Sequence, residues 1–231
     1  MDRGYVLRFD EGYAIDEEEV SSSLSLNKKR VIELADYLVD SVTIDAKKVI
    51  DLLFPEVNAD VFISHSHKDV SLATQLAIDI SNTKGMGVFV DSCVWGSSSK
   101  LLKIINDRFC KIPGSSNYDY EKVMRTSSHV NMILTTALQR MMDSASNFIF
   151  LDSESSLIQG KFWEDEVRTD SAWIHMELKF SELLSDRRFV TRAAFESMDD
   201  LSFAHPAPTE HLEKVSAARF YRWLLGESSV L

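Results

Sequence analysis

ADVFISHSHKD, residues 59–69, is the stretch whose reading decides the fold. Its centre, VFIS, is a short apolar run opened by Asp60 and closed by polar residues, the pattern of a strand buried on both faces. The period then changes. From Lys68 to Thr83 apolar residues recur at helical spacing, with Leu72, Leu76 and Ile80 on one face, and Gly85 and Gly87 end the helix. MGVFVDS (86–92) is a second apolar strand, KLLKIINDRF (100–109) a second helix, HVNMILTTALQRMMDSA (129–145) a third helix and NFIFLDS (147–153) a third strand. Continuous apolar strands separated by helices indicate a parallel sheet covered on both faces, a three-layer α/β domain that binds ligands at the carboxyl ends of its strands.

Upstream of this unit the character differs. Residues 1–26 have mixed polarity, carry the acidic run Asp16 to Glu19 and read as a weakly structured lead-in. NKKRVIELADYLVDS (27–41) and TIDAKKVIDLLF (43–54) each place apolar residues at helical spacing, and Pro55 and Asn58 close the second. The expected organisation is an N-terminal extension with two short helices over 1–57 and an α/β domain over 58–231, with insertions near 110–128 and 156–170.

With 231 residues and 45% hydrophobic content the chain can bury a sizeable core. Its 25 basic against 36 acidic side chains give a net charge of −11, which repels a phosphate backbone and argues against nucleic acid as a partner. No run of about 18 apolar residues and no leader-like start is seen, so a cytoplasmic protein with no membrane partner is expected. Cys93 and Cys110 are too few for a disulfide framework and lack structural zinc spacing, and are read as free thiols.

The expected strands run out into SHSHKD, DSCVWGSS and DSESS, all rich in hydroxyls and carboxylates. The helix DSAWIHMELKFSELL (170–184) follows the third. Stepping from Trp173 by helical spacing gives Glu177, Phe180 and Leu184, a stripe in which one carboxylate sits among apolar residues. Burying that carboxylate costs several kcal/mol unless it is paired, protonated or facing a wet cleft. Two placements are open: Glu177 faces the cleft at the strand ends, or the helix is rotated so that Ile174, Leu178 and Leu183 face the core and Glu177 rims it. Its position after the third strand favours the cleft. His65 and His67 have no third ligand at metal spacing, so no metal and no cofactor is expected.

ADVFISHSHKD, then GVFVDS, then SAWIHMEL, in this order, resemble the Toll/interleukin-1 receptor (TIR) domain, over about residues 59–231. The resemblance implies a flavodoxin-like parallel sheet and a binding loop after the second strand, here Asp91 to Lys100. In NAD-cleaving members the catalytic glutamate lies four residues after a helical tryptophan, and the matching pair here is Trp173 and Glu177. The implied enzyme is an NAD+ nucleosidase or ADP-ribosyl cyclase that takes NAD+ as substrate, releasing nicotinamide and ADP-ribose or a cyclic isomer.

The residue types suit that chemistry. Breaking the nicotinamide–ribose bond builds positive charge on the sugar, and a fixed anion beside the ribose offsets it. Glu177 is the candidate for that anion. Trp173, one turn earlier, offers a face for a flat ring or is a core residue. Asp91 has the chemistry to bind a ribose or amide, and Ser64, His65 and Ser66 to hold phosphates, or else these residues cap turns. Trp95 beside Gly96 reads as a loop tip closing over a ligand or packing on its own domain. Ser171 completes the candidate substrate set at the start of the Glu177 helix.

SLIQGKFWEDEVRTD (156–170) reads as a water-excluding lid or a surface loop. RRFVTRAAF (187–195) is a possible fourth strand and EHLEKVSAARFYRWLLG (210–226) a terminal helix. Alternatives to the enzyme are an adaptor that recruits other TIR domains, and a nucleotide-binding sensor or transferase of the same layered fold. Chains of this build are similar to TIR enzymes of bacterial antiphage systems such as Thoeris. That similarity implies self-association through TIR domains and a separately encoded effector that senses the product.

Overall fold

The computed structural model describes residues 3–9, 12–25, 45–53, 59–90, 92–158, 167–185, 205–228 and 231. In chain order the strands are β1 (Arg3–Arg8), β2 (Val61–Ser64), β3 (Val88–Val90), β4 (Asn147–Leu151), β5 (Arg168–Thr169), β6 (His205–Pro206) and β7 (Glu213–Ser216). The helices are α1 (17–25), α2 (Ala46–Leu53), α3 (Val70–Lys84), α4 (Ser92–Phe109), α5 (Tyr120–Ser144), α6 (Ala172–Ser185) and α7 (Ala217–Leu224). This is an α/β fold whose main sheet has five parallel strands in the order β3-β2-β4-β1-β7, while β5 and β6 form a separate antiparallel pair. The chain divides into two units. The first comprises residues 1–16, 58–90 and 142–231 and contains the sheet, and the second comprises 17–57 and 91–141. Among the described residues no helix is long and apolar enough to cross a membrane.

Within the first unit, β2 is buried along its whole length. Phe62 sits in register with Phe89 of β3 and Phe148 of β4, with ring centroids 5.4 and 5.8 Å apart, so one aromatic row crosses three strands. Pairs of this kind add about 0.5–1.5 kcal/mol each beyond the area they bury. Asp60 fastens the amino ends of the same strands. Its carboxylate accepts from Gly87 N–H at 2.8 Å, its N–H donates to Gly87 O at 2.7 Å, and its carbonyl accepts from Asn147 N–H at 2.9 Å. Helix α3 follows with Leu76 and Ile80 inward and stops where Gly85 adopts φ +66, its N–H donating to Ser81 O. That left-handed conformation is one a glycine takes at little cost.

The lead-in departs from expectation. Residues 3–8 are not weakly structured: they form β1, which lies between β4 and β7 and pairs with both. Tyr5 (1% exposed), Val6 and Leu7 are all buried, a fully enclosed strand reduced to three residues between arginines. So short a run carries no visible period, and its partners lie about 140 and 210 positions away in the chain. The C-terminal segment differs as well. EKVS is strand β7 and only Ala217–Leu224 is helical, with Ser216 as the cap accepting from Arg219 N–H. The stretches expected as a helix at 27–41 and a strand at 187–195 lie outside the described residues, as does most of the 156–170 insertion.

In the second unit Asp45 caps α2, its carboxylate accepting from Lys47 N–H at 2.9 Å. Residues 92–100 are helical and continuous with the run expected at 100–109, rather than forming a loop. The stretch contains no proline, and its one glycine costs about 1 kcal/mol, which a helix of this length tolerates. Helix α5 begins at Tyr120, nine residues before the expected start, because Asp119 caps it by accepting from Lys122 N–H at 3.2 Å. The insertion therefore reduces to a tight turn over 111–119, closed by the bridge between Lys111 and Tyr118.

Leu7→Ala is expected to lower unfolding free energy by about 2–5 kcal/mol, the cost of a cavity at a fully enclosed leucine. Urea titration followed by circular dichroism measures it. A loss below about 0.5 kcal/mol would mean that β1 is not an interior strand.

Candidate active site

The strand order sets where a ligand belongs. After β2 the chain crosses to β3 on one flank of β2, and it later returns to place β4 on the other, so the winding direction reverses between β2 and β4. The crevice outside the carboxyl ends of those two strands is the usual ligand position in such sheets. Strand β2 ends at Ser64, which pairs in register with Phe150, and β4 ends just before Asp152 and Ser153.

Glu177 reaches the end of β2. Its side chain is 0% exposed, and Ser64 Oγ donates to its Oε2 at 2.6 Å. The observed rotation of α6 combines parts of the two expected placements, with Ile174 and Leu178 facing the core and Glu177 buried beside them at the end of β2. The buried face carries Ile174, Glu177, Leu178 and Ser181, whereas Trp173, Phe180 and Leu184 are half-buried and Leu183 is exposed. The carboxylate thus lies with the core-facing residues instead of rimming them. Ser181, one turn on, is also fully buried. Its hydroxyl donates to Leu178 O at 2.8 Å, and since that uses its only proton, His211 Nε2 is the donor in the 2.8 Å contact between them. Helix α6 is therefore pinned through two polar residues, one to β2 and one to the segment leading into β7.

The other expected residues are placed as follows. His65 is 3% exposed directly after Ser64. Ser66 caps a single 3-10 turn over His67–Asp69 by accepting from Lys68 N–H at 3.4 Å. Ser171 caps α6, its hydroxyl accepting from Ile174 N–H at 3.2 Å. Ser66 thus makes the turn cap that was one of its two expected uses, and Ser171, expected to bind substrate, is placed at the start of α6 as its cap. Trp95 lies on the helical backbone of α4, and Asp91 and the Trp95 side chain are outside the described residues. The structure therefore brings Ser64 and His65 together with Glu177 at one strand end.

Two further pairs line the same edge of the sheet and were not singled out from sequence. Ser153 Oγ donates to Asp69 Oδ2 at 2.5 Å, joining the end of β4 to the start of α3. Arg8, at the end of β1, lies 3.6 Å from Asp152. The DSESS turn was a signal for the first pair, and an arginine closing an unrecognised strand gave none for the second. Among the described residues no cluster of three or more His, Cys, Asp or Glu is placed to hold a metal ion.

Three histidines support α6 from outside this edge. His175 Nδ1 donates to Pro206 O at 2.5 Å, and its ring stacks on His205 with centroids 5.1 Å apart. Burial, reinforced by the neighbouring His175, holds His205 below the usual imidazole value. Burial likewise lowers His211, against a smaller opposing pull from Glu182 and Glu210. A histidine with a depressed folded-state pKa binds fewer protons folded than unfolded, so stability falls as pH drops through the window below the ordinary value of about 6.5. Denaturant midpoints measured from pH 7.5 to 5 are expected to decline, and His211→Gln is expected to flatten the decline. An unchanged slope in that variant would remove His211 from the account.

Compared with known proteins, the chain matches no family model, no curated protein and no solved structure.

Proposed function

We propose that the chain is a TIR-type enzyme that cleaves the nicotinamide–ribose bond of NAD+, giving nicotinamide with ADP-ribose or a cyclic isomer. One observation carries the proposal: a fully buried carboxylate, Glu177, hydrogen-bonded to Ser64 where β2 ends at the reversal of strand order. An ionised carboxylate loses several kcal/mol of hydration on burial, so a fold that keeps one there is holding it for some purpose. In a water-poor site its charge acts on a developing oxocarbenium ion with little screening. Trp173, one turn earlier and half-buried, supplies an aromatic face for the departing ring.

The same burial sets a condition. With no exposed surface on Glu177, a substrate reaches it only after the residues packed around it move aside. Self-association through TIR-type contacts is the proposed trigger, and a separately encoded effector that senses the product completes the proposed role in antiphage signalling. A second reading, an interaction module without turnover, is favoured by that same complete burial, since Glu177 would then serve only to lock α6 on the sheet.

Incubating NAD+ with the protein and following products by mass spectrometry separates the two. Glu177→Ala is expected to cut nicotinamide release by at least about a hundredfold, the usual scale for losing one preorganised electrostatic group. No release from the wild type under any condition, with Glu177→Ala altering only stability, would favour the interaction module. Specific activity is expected to rise with protein concentration, and strict proportionality between rate and protein would count against activation by assembly.

A further inference from the structure

Ser64 is the last of the four residues of β2, which ends at the candidate site, and it is as fully buried as Glu177. Its single proton is committed to Glu177 Oε2 at 2.6 Å, the short distance of a hydrogen bond to a charged acceptor. The two residues are 113 positions apart in sequence, so the contact joins β2 to α6 and is a tertiary constraint, independent of any local turn. A carboxylate on a helix has freedom about its last torsions, and that freedom is removed only by neighbours that grip one oxygen. Ser64 lies on a rigid interior strand, between β3 and β4, and is well suited to do so.

We propose that Ser64 is a positioning residue, whose hydroxyl grips Oε2 of Glu177 and fixes the direction in which that carboxylate presents its charge. The inference rests on the reading of Glu177 as the anion beside the ribose, and it gives Ser64 a different task from phosphate binding. A phosphate ligand contributes equally to substrate and transition state and so acts on KM. A residue that orients the anion contributes only when charge develops on the sugar, and so acts on kcat.

Kinetics of nicotinamide release by the full chain test this. Ser64→Ala is expected to lower kcat roughly ten- to a hundredfold, the scale of one lost hydrogen bond to a charged group, with KM close to the wild type. Ser64→Thr, which keeps the hydroxyl, is expected to restore most of the rate. A raised KM with kcat unchanged, or a threonine variant as poor as alanine, would overturn the assignment. A second measurement does not depend on turnover. In a double-mutant cycle of unfolding free energies, the loss caused by Ser64→Ala is expected to shrink markedly in a Glu177→Met background. Additive losses would overturn the grip itself. If release of nicotinamide survives Glu177→Ala, the NAD+ reading falls on its own, and the cycle still decides whether Ser64 holds that side chain.

Discussion

Strand β1 spends the hydrogen-bonding capacity of both its edges on its neighbours, β4 on one side and β7 on the other. Among the described residues no other strand joins those two, so the continuity of the sheet rests on six residues. Both α6 and α7 pack against β1, and the carboxyl-end carbonyl of Leu7 accepts from Asp152 N–H at 3.0 Å, which sets the direction of the chain as it leaves β4. The platform under Glu177 is thus built partly by a segment distant from it in sequence. A polar edge at the carboxyl ends of β1, β2 and β4 follows from this pairing, because parallel strands bring all their carboxyl ends to one side.

Much of this was legible in the residues. VFIS, GVFV and NFIFL announced themselves as strands because each is a short apolar run between polar ends that adjoins a segment of helical period. Gly85 marked the end of α3 because only a left-handed residue closes a helix there cheaply. What was missed has physical causes. In RGYVLR three apolar residues between arginines carry too little pattern to separate a strand from a loop, and EKVS shows one buried valine among polar residues because it lies at the sheet's edge. The rotation of α6 was hidden for a different reason. Glu177 was expected either on a stripe with Trp173, Phe180 and Leu184 or rimming one with Ile174 and Leu178, yet it is buried together with Ile174, Leu178 and Ser181, because hydrogen bonds to Ser64 and His211 offset the desolvation of the two polar groups. Hydropathy counts cannot see partners supplied from elsewhere in the chain.

A helix face with two buried polar residues is a costly way to cover a sheet, and an all-apolar face of the same shape would be at least as stable. The gain is registry. An apolar stripe permits a helix to rotate or slide by a fraction of a turn with little change in energy, whereas two directional contacts at i and i+4 fix both rotation and height. That precision is of use where one side chain must be held at a defined place, which is the property the strand end at Ser64 gives to Glu177.

The placement of β1 also bears on how the chain is made. It leaves the ribosome well before the strand that flanks it on the far side, which, with Glu213 opposite Tyr5, is synthesised about two hundred residues later. At 5–20 residues per second that interval is roughly 10–40 s, during which a short hydrophobic ribbon waits with open edges. Completion of the sheet therefore waits on a segment made long after β1, and the nascent polypeptide passes through a stage in which transient shelter by a chaperone would matter most.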